Sequence, residues 1–293
     1  MKKLEKLSTE SVYKLFIYVF LITLGISIIV PIGWVFLASL KQPQEFFMNP
    51  WKFPDAFYFE NFIKAFNDAK MGDYFINSIV VTGLGILILL LTALPAAYAL
   101  SRFDFKLKKP INGLFMAGLF INVNYIVIPI FLMLMRMNNA AKAVVGGDIF
   151  LNNRLVLALV YAATALPFTI YLLTGYFRTL PKAYEEAAYI DGASHFQTMV
   201  KVMIPMAKPS IVTVILFNFL SFWNEYIIAL TLMPGSMKTL PVGLINLQQA
   251  SRGAANPGPM YAGLVIVMLP TLILYIFVQK KLTQGMTLGG LKD

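Results

Sequence analysis

The chain has 293 residues, of which 58% are hydrophobic and 13% charged, and its mean hydropathy is +0.71. A soluble globule of this length needs more polar surface, so the composition predicts a membrane protein. The net charge of +10 comes from basic residues spread over short connections, without the basic helix that binds nucleic acid. The chain has no cysteine and a single histidine, which excludes disulfides and thiolate metal sites.

Six apolar segments are long enough to cross the hydrocarbon core as helices, which takes about 20 residues. These spans cover residues 15–40, 74–101, 111–135, 155–177, 210–232 and 260–278. Five of them contain a proline, a residue at which a membrane helix can kink and flex: Pro31, Pro95, Pro129, Pro167 and Pro270. The sequence therefore predicts an all-α membrane protein. Its span domain covers residues 13–282, between an N-terminal tail of residues 1–12 and a C-terminal tail of residues 283–293.

Lysine and arginine divide unevenly between the two sides of such a bundle. With the N-terminus inside, 15 of the 24 basic residues fall on the cytoplasmic side and 9 on the other. Because cytoplasmic connections carry the excess of positive charge, both termini and the segment 180–209 are predicted to be cytoplasmic. The basic start is followed by a long apolar run without an early cleavage site, which predicts an uncleaved first span.

The most strongly patterned connection is the segment 180–209. Pro181 suits the first turn of a helix, and Gly192 tolerates the dihedral angles that end one. Ser194 can cap a second helix, on which apolar side chains fall opposite His195, Gln197 and Lys201. These apolar side chains are Phe196, Met199, Val200 and Met203. The pattern predicts a helix, a sharp bend and an amphipathic helix.

This segment resembles the signature loop of the permease subunits of bacterial ATP-driven importers, EAA---G---------I-P. The matching residues are Glu186, Ala187, Ala188, Gly192, Ile204 and Pro205, with Asp191 and Ala193 beside the glycine as in the carbohydrate branch. The resemblance extends to the six-span plan of the smaller permease of maltose-type importers. It implies a type I ABC importer permease fold with a cytoplasmic coupling-helix loop, in which these eight residues dock the ATPase.

The resemblance also implies partners and a task. The chain would pair with a second homologous permease, two ATP-binding subunits and an extracytoplasmic solute-binding protein to import an oligosaccharide or related sugar. The sequence has no G-x-x-x-x-G-K-[ST] loop for phosphate, so ATP and Mg are expected in the partner ATPase and no cofactor, metal or catalytic site in this chain.

Other function classes fit the sequence less well. The alternative is a secondary transporter or channel not coupled to ATP, against which stand the lack of inverted repeats and the few ionisable residues inside the spans. An intramembrane hydrolase would need a nucleophile with a base, or a metal set, and the chain offers one histidine and no cysteine. The expected location is the cell membrane, among lipid and without nucleic acid.

Glu225 is the one acidic residue inside a predicted span. An acid at the centre of a span costs about 2.5–3.5 kcal/mol, so Glu225 must face protein or a water-filled cavity. With Trp223 and Asn224 it resembles the W-N-E element of sugar permeases, which implies a place on the translocation pathway. The alternative is an interhelix hydrogen bond without a substrate role.

The C-terminal tail, one outer loop and two arginines also lead to predictions about function. The tail QGMTLGGLKD resembles the Gly-rich tail that in relatives reaches into the ATPase dimer, although Leu291 and Asp293 depart from its small-residue pattern. The loop 233–259 corresponds to the outer loop that probes the binding protein's sugar cleft. Arg136 and Arg154, near the outer ends of spans three and four, can attract an acidic sugar or simply anchor the spans at the interface.

Overall fold

The computed structural model describes residues 2–251 and 256–290, which form helices and connections without a β-strand. The α-helices are α1 (Lys2–Ser39), α2 (Pro43–Met48), α3 (Glu60–Ile63), α4 (Met71–Arg102), α5 (Lys108–Gly118), α6 (Val123–Val145), α7 (Arg154–Thr179), α8 (Ala183–Ile190), α9 (His195–Thr198), α10 (Ile204–Met206), α11 (Lys208–Trp223), α12 (Ile227–Leu232), α13 (Leu240–Ala250) and α14 (Gly258–Gly290). Two π-helical turns, Lys64–Asp68 and Met199–Met203, continue α3 and α9.

Five of the described helices are long and apolar enough to cross a bilayer, and the count is six if one bent pair forms a single span. The five are α1 from Ser11 to Ser39, α4, α6 from Val123 to Ala143, α7, and α14 from Gly258 to Gln279. The bent pair is His195–Met206 with Lys208–Trp223, which meet at 75°. The predicted all-α membrane class is confirmed, and each of the five prolines in the predicted spans lies inside a helix.

The third predicted span, residues 111–135, differs from the structure because the segment forms two helices. α5 ends at Gly118 and α6 begins at Val123, where the Asn122 side chain accepts a hydrogen bond from the Asn124 amide at 3.0 Å. A Cβ at Gly118 would lie 2.8 Å from Cγ of Pro167 in α7. The helix therefore stops where two chain segments approach closely, a contact that the pattern of one segment does not reveal.

The terminal helices are longer than the predicted first and last spans. α1 begins at Lys2, inside the predicted tail of residues 1–12, and α14 continues to Gly290, through most of the predicted tail of residues 283–293. Leu291 and Asp293, the two departures from the family's tail pattern, lie outside the described residues.

The chain divides into two compact units, of which the first is Met1–Ala69 with Asn246–Met268. Here the connection that follows α1 is held by buried polar side chains. Lys41 is 1% exposed, and its Nζ donates to the carbonyl oxygens of Asn49 at 3.1 Å and Pro50 at 2.7 Å. Asn61 is fully buried and donates to the carbonyl oxygens of Ser39 and Lys41, each at 2.9 Å. The connection after α1 is thus an ordered structure that contains α2 and α3.

The second unit is Lys70–Ile245 with Leu269–Asp293, and α4 and α7 form its most extensive helix pair. Small residues on α4 allow close packing: a Cβ at Gly85 would lie 3.1 Å from Cε2 of Phe222 in α11. The shared core contains fully buried side chains from these helices and from the segment after α9, namely Leu89, Leu157, Leu173, Phe177, Met203 and Val214. This core carries the segment 180–209, which sequence analysis singled out.

We predict that Asn61→Ala loosens the connection between α1 and α3. The substitution leaves two buried carbonyl oxygens without their donor, at a cost of about 1–3 kcal/mol for each unsatisfied group. Hydrogen exchange in peptides that cover residues 42–60 should become faster, beginning with the Tyr58 amide, which donates to Leu40 at 2.9 Å. Asn67→Ala, at an exposed position four residues before α4, is the control. Equal exchange in both variants would show that Asn61 does not hold the connection.

Candidate functional site

The segment 180–209 forms the predicted helix, bend and second helix. α8 ends at Ile190, and Gly192 takes φ = +81°, the left-handed region that favours glycine. Ser194 caps α9: its Oγ accepts from the Gln197 amide at 3.3 Å, while Gln197 Oε1 accepts from the Ser194 amide at 2.9 Å. The prediction of a glycine stop and a serine cap is confirmed. Gln197, which the pattern placed only among the polar positions of the second helix, also completes this capping box.

The apolar face predicted for the second helix is only partly correct. Met199 and Met203 are buried, but Phe196 and Val200 are exposed. Phe196 and Val200, four residues apart, share the exposed side of the helix, whereas Thr198, Met199 and Met203 share the buried side. Met199 and Met203 pack into the core of the second unit, so the fold sets which side is buried.

Two neighbouring acids in α8 have opposite surroundings. Glu185 is buried at 7% exposure: its Oε1 accepts from the Tyr98 hydroxyl at 2.8 Å, and its Oε2 lies 3.2 Å from Nε of Arg102. Arg102 also donates from Nη2 to the carbonyl oxygen of Leu180 at 2.7 Å. Glu186, the acid of the signature pattern, is exposed. One acid therefore anchors α8 to the end of α4, and the next one faces outward.

Glu185 lies outside the signature pattern, although the sequence carries a signal for its role. Adjacent residues on a helix point about 100° apart, so the pair Glu185 and Glu186 cannot share one environment on a helix packed against a bundle. Arg102 directly follows the second predicted span and is one of the 15 basic residues assigned to the cytoplasmic side. The pairing of these two residues, which lie 83 positions apart in the sequence, becomes visible only in the fold.

The eight residues of the signature pattern divide by exposure. Glu186, Ala187, Asp191, Gly192 and Pro205 are exposed, Ala193 and Ile204 are half-buried, and Ala188 is buried on the same side of α8 as Glu185. The structure thus leaves most of the pattern exposed and turns Ala188 towards its own chain. A docking role for these residues stays a prediction.

His195 lies at the start of α9 and is exposed, as the sequence suggested. Its Nδ1 is 2.8 Å from the Tyr189 hydroxyl, and its ring packs edge-on against Phe103 with centroids 5.3 Å apart. Among the described residues, no cluster of three or more His, Asp and Glu side chains could hold a metal ion.

The W-N-E element breaks the fifth predicted span, residues 210–232, into two helices. α11 ends at Trp223, and Glu225 begins α12 by accepting from the amides of Ile228 at 2.7 Å and Ala229 at 2.9 Å. The Tyr161 hydroxyl in α7 donates to the same carboxylate at 2.8 Å. The expectation that Glu225 faces protein is confirmed, and its contacts include the interhelix hydrogen bond considered as the alternative role.

The side chains of the other two members of this element, Trp223 and Asn224, differ in exposure. Trp223 is 2% exposed, stacked on Phe219 at 5.4 Å and edge-on to Phe75 at 5.8 Å. Asn224 is exposed, and its amide nitrogen donates to the carbonyl oxygen of Leu220 at 2.8 Å. Asn224 is therefore the member of the element with a side chain open to a ligand.

The connection between α6 and α7 carries both signs of charge. Arg136 is exposed inside α6, and Arg154 is half-buried at the first position of α7. Hydrogen bonds from Asn138 at 2.8 Å and Lys142 at 3.3 Å lower the pKa of Asp148, which keeps this carboxylate charged in the same connection. The two arginines are not part of an exclusively positive surface.

The loop 233–259 contains α13 and is fixed at its start. The Asn77 amide donates to the Lys238 carbonyl oxygen at 2.9 Å, and the Leu240 amide donates to Ser78 Oγ at 2.8 Å. A Cβ at Gly243 would overlap the Tyr74 ring, so this part of α13 sits close against α4. Residues 252–255 of the loop lie outside the described residues.

Comparison with known proteins shows which family has this architecture. Residues 85–286 match the family "Binding-protein-dependent transport system inner membrane component". The chain is 33% identical over 92% of its length to the diacetylchitobiose uptake system permease protein of Streptomyces coelicolor, of which the match covers 86%. It is 30% identical over 94% of its length to the multiple sugar-binding transport system permease protein of Streptococcus mutans, covering 96% of that protein.

A solved structure supports the same fold. The chain superposes with a TM-score of 0.77 and 24% identity on a chain of a bacterial ABC transporter involved in the import of the acidic polysaccharide alginate. The match covers 93% of this chain and 97% of that one. With its membrane-spanning helices and the signature hairpin between α7 and α11, the protein belongs to the family of inner membrane components of binding-protein-dependent transport systems.

Proposed function

We propose that this chain is one of two membrane-spanning subunits of an importer that moves an oligosaccharide or a related sugar across the cell membrane. Its partners would be a second homologous permease, two ATP-binding subunits and an extracytoplasmic solute-binding protein. ATP and Mg would be bound by the ATP-binding subunits, since this sequence has no phosphate-binding loop and no catalytic role is proposed for it. The named sugar relatives support the substrate class.

The observation that carries the proposal is the hairpin from α8 to α9. Its outer side offers Glu186 and Ala187, and Gly192 fixes the turn. Such a short helix, held rigidly against a membrane bundle and exposed on its other side, suits a groove on a soluble partner. Closure of the ATP-binding subunits would push this hairpin and switch the bundle between inward- and outward-facing states.

Within the pathway, we assign different roles to the three residues of the W-N-E element. Asn224 is the member available to hydrogen-bond a sugar hydroxyl. Trp223 is buried and Glu225 is engaged by Tyr161 and by the start of α12, so these two would hold the break in shape. The unwound backbone at Asn224 suits a polar path, because irregular backbone at membrane depth is tolerated where it is buried in protein or lines a cavity.

We predict that both termini and the hairpin are cytoplasmic. Single cysteines introduced at Ile190, which is 86% exposed, and at the exposed Ser236 should react with impermeant thiol reagents from opposite sides of the membrane. The chain has no other cysteine, so the labelling is unambiguous. Labelling of both positions from outside intact cells would contradict this topology.

The proposed function predicts that the complex, reconstituted with its binding protein, hydrolyses ATP faster when an oligosaccharide is present. Neutral oligosaccharides and uronate oligomers should be compared, because Arg136 and Arg154 would favour an acidic sugar whereas Asp148 would oppose it. The measurement is the rate of phosphate release together with uptake of labelled sugar into vesicles. An absence of co-purifying ATPase would overturn the proposal, and stimulation by neutral sugars alone would exclude an acidic cargo.

We predict that Glu186→Lys and Gly192→Val both abolish uptake while the chain inserts normally. Lysine at position 186 repels a basic partner surface. At Gly192 an added Cβ meets no atom within 4 Å, so the expected effect of valine is the strain of a positive φ, about 1–3 kcal/mol. Co-purification of the ATPase and stimulated hydrolysis should fall in both variants.

Matched controls separate these effects from general damage. Gly175→Val places the same side chain at a helical glycine in α7 that also has nothing within 4 Å, and Asp104→Lys reverses an exposed charge near the end of α4. Gln197→Ala is unsuitable as a neutral control because it opens the capping box. Uptake at the wild-type level in both test variants would leave the hairpin as a plain connection.

A further inference from the structure

The hairpin has covalent links to α7 and α11, and a third link of a different kind to α4. We propose that Glu185, Arg102 and Tyr98 form a latch that carries movement of the hairpin into α4, which makes them positioning residues of the transport cycle. This inference rests on the proposed function, since the hairpin is driven only if an ATPase docks on it.

Arg102 is the centre of the latch. It lies in the last turn of α4, where a cation is favoured by the carbonyl ends of the helix. Its Nη2 donates to the Leu180 carbonyl oxygen at 2.7 Å, and its Nε lies 3.2 Å from Oε2 of Glu185. One side chain thus ties the end of α4 both to the residue that follows α7 and to α8.

The latch is buried, which makes it a rigid connection. The side chains of Arg102 and Glu185 are 7% and 9% exposed, and the Tyr98 hydroxyl occupies the other oxygen of the carboxylate at 2.8 Å. Separating a buried ion pair leaves two uncompensated charges, so the pair resists opening and its helices move together. A pair nearby, Asp104 with Lys108 at 2.9 Å, lacks this property because the Asp104 side chain is 97% exposed, and water can replace it.

Aromatic contacts extend the latch to the second helix of the hairpin. The Tyr98 ring is edge-on to Phe103 at 5.5 Å and to Phe177 at 5.9 Å. Phe103 in turn packs edge-on against His195 at 5.3 Å, at the start of α9. Both helices of the hairpin therefore contact the same end of α4, one through an ion pair and the other through ring packing.

Because α4 lies at the centre of the bundle, a contact between the hairpin and α4 can affect the other helices. α4 packs along α7 more extensively than any other described pair of helices packs, and it also contacts α11. A displacement of α8 that reaches α4 would move the centre of the bundle directly, in addition to any pull through the chain at α11. Glu186, on the outer face, would receive the ATPase, and Glu185, on the inner face, would pass the movement on.

The test compares Glu185→Gln, Arg102→Gln and the double variant in the complete complex. Asp104→Asn and Lys108→Gln, which open the nearby pair at the surface, are the controls. Each latch single variant should still co-purify with the ATPase, but sugar uptake per ATP hydrolysed should fall about tenfold, the scale of a typical coupling energy. The double variant should recover part of this loss, since it leaves no unpaired buried charge. Unchanged uptake per ATP in both single variants would overturn the latch.

A second measurement does not depend on an ATPase. A spin label on Ile190→Cys in the membrane-embedded chain should become more mobile with Glu185→Gln and stay unchanged with Asp104→Asn. Equal mobility in all backgrounds would also overturn the latch. If the wild-type chain binds no ATPase but the label responds to Glu185→Gln, the proposed function fails and the anchoring of α8 stands.

Tyr98→Phe provides a milder variant in case the charge variants fold poorly. It removes only the hydroxyl that donates to Glu185 and keeps the ring contacts with Phe103 and Phe177. Label mobility should rise less than in Glu185→Gln and in the same direction. No rise, with normal insertion of the variant, would contradict the placement of Tyr98 in the latch.

Discussion

A carboxylate removed from water must find a cation or hydrogen-bond donors, because its desolvation is otherwise prohibitive. Glu185 meets this demand with Arg102 and Tyr98, and Glu225 meets it with Tyr161 and two backbone amides at the start of α12. Glu185 holds the short helix α8 against α4, and Glu225 holds the break between α11 and α12 against α7. The hairpin and the break in the fifth predicted span both depend on this requirement.

Buried amides play the same part elsewhere in the described chain. Asn61 holds the turn after α1 through the carbonyl oxygens of Ser39 and Lys41. Asn138 accepts from the amides of Ile149 and Phe150, at 2.9 and 3.0 Å, and so fixes the connection before α7. Where backbone groups are buried, such side chains replace the solvent that an exposed loop would use.

The two faces of α8 have different roles in the proposed transport cycle. Its inner face, with Glu185 and Ala188, is bound into the bundle, and its outer face, with Glu186 and Ala187, is open. A helix of eight residues has little stability alone, since isolated helices shorter than about 12 residues are marginal in water. The anchoring on α4 therefore keeps the open face in a fixed position, as the proposed docking of an ATPase would require.

One relative is named for diacetylchitobiose uptake, and the solved transporter is involved in the import of the acidic polysaccharide alginate. Trp223, the aromatic residue that a sugar ring would stack on, is buried against Phe219 and Phe75. The charged side chains near the ends of α6 and α7 are mixed in sign. Selection would then depend on the partner permease and on the binding protein.

The sequence by itself determined the membrane class, the prolines inside the helices, the glycine bend and the serine cap. Each of these depends on the hydropathy or the backbone preferences of residues close together in the chain. The tertiary structure alone decided where the third and fifth predicted spans break. The third breaks where α5 ends at Gly118, close to Pro167 of α7, and the fifth breaks where Glu225 accepts a hydrogen bond from Tyr161 of another helix. It also decided which of two adjacent glutamates is buried. Glu185 and Glu186 have the same chemistry and the same local pattern, and only the position of Arg102, brought beside α8 by the packing of α4 against α7, distinguishes them.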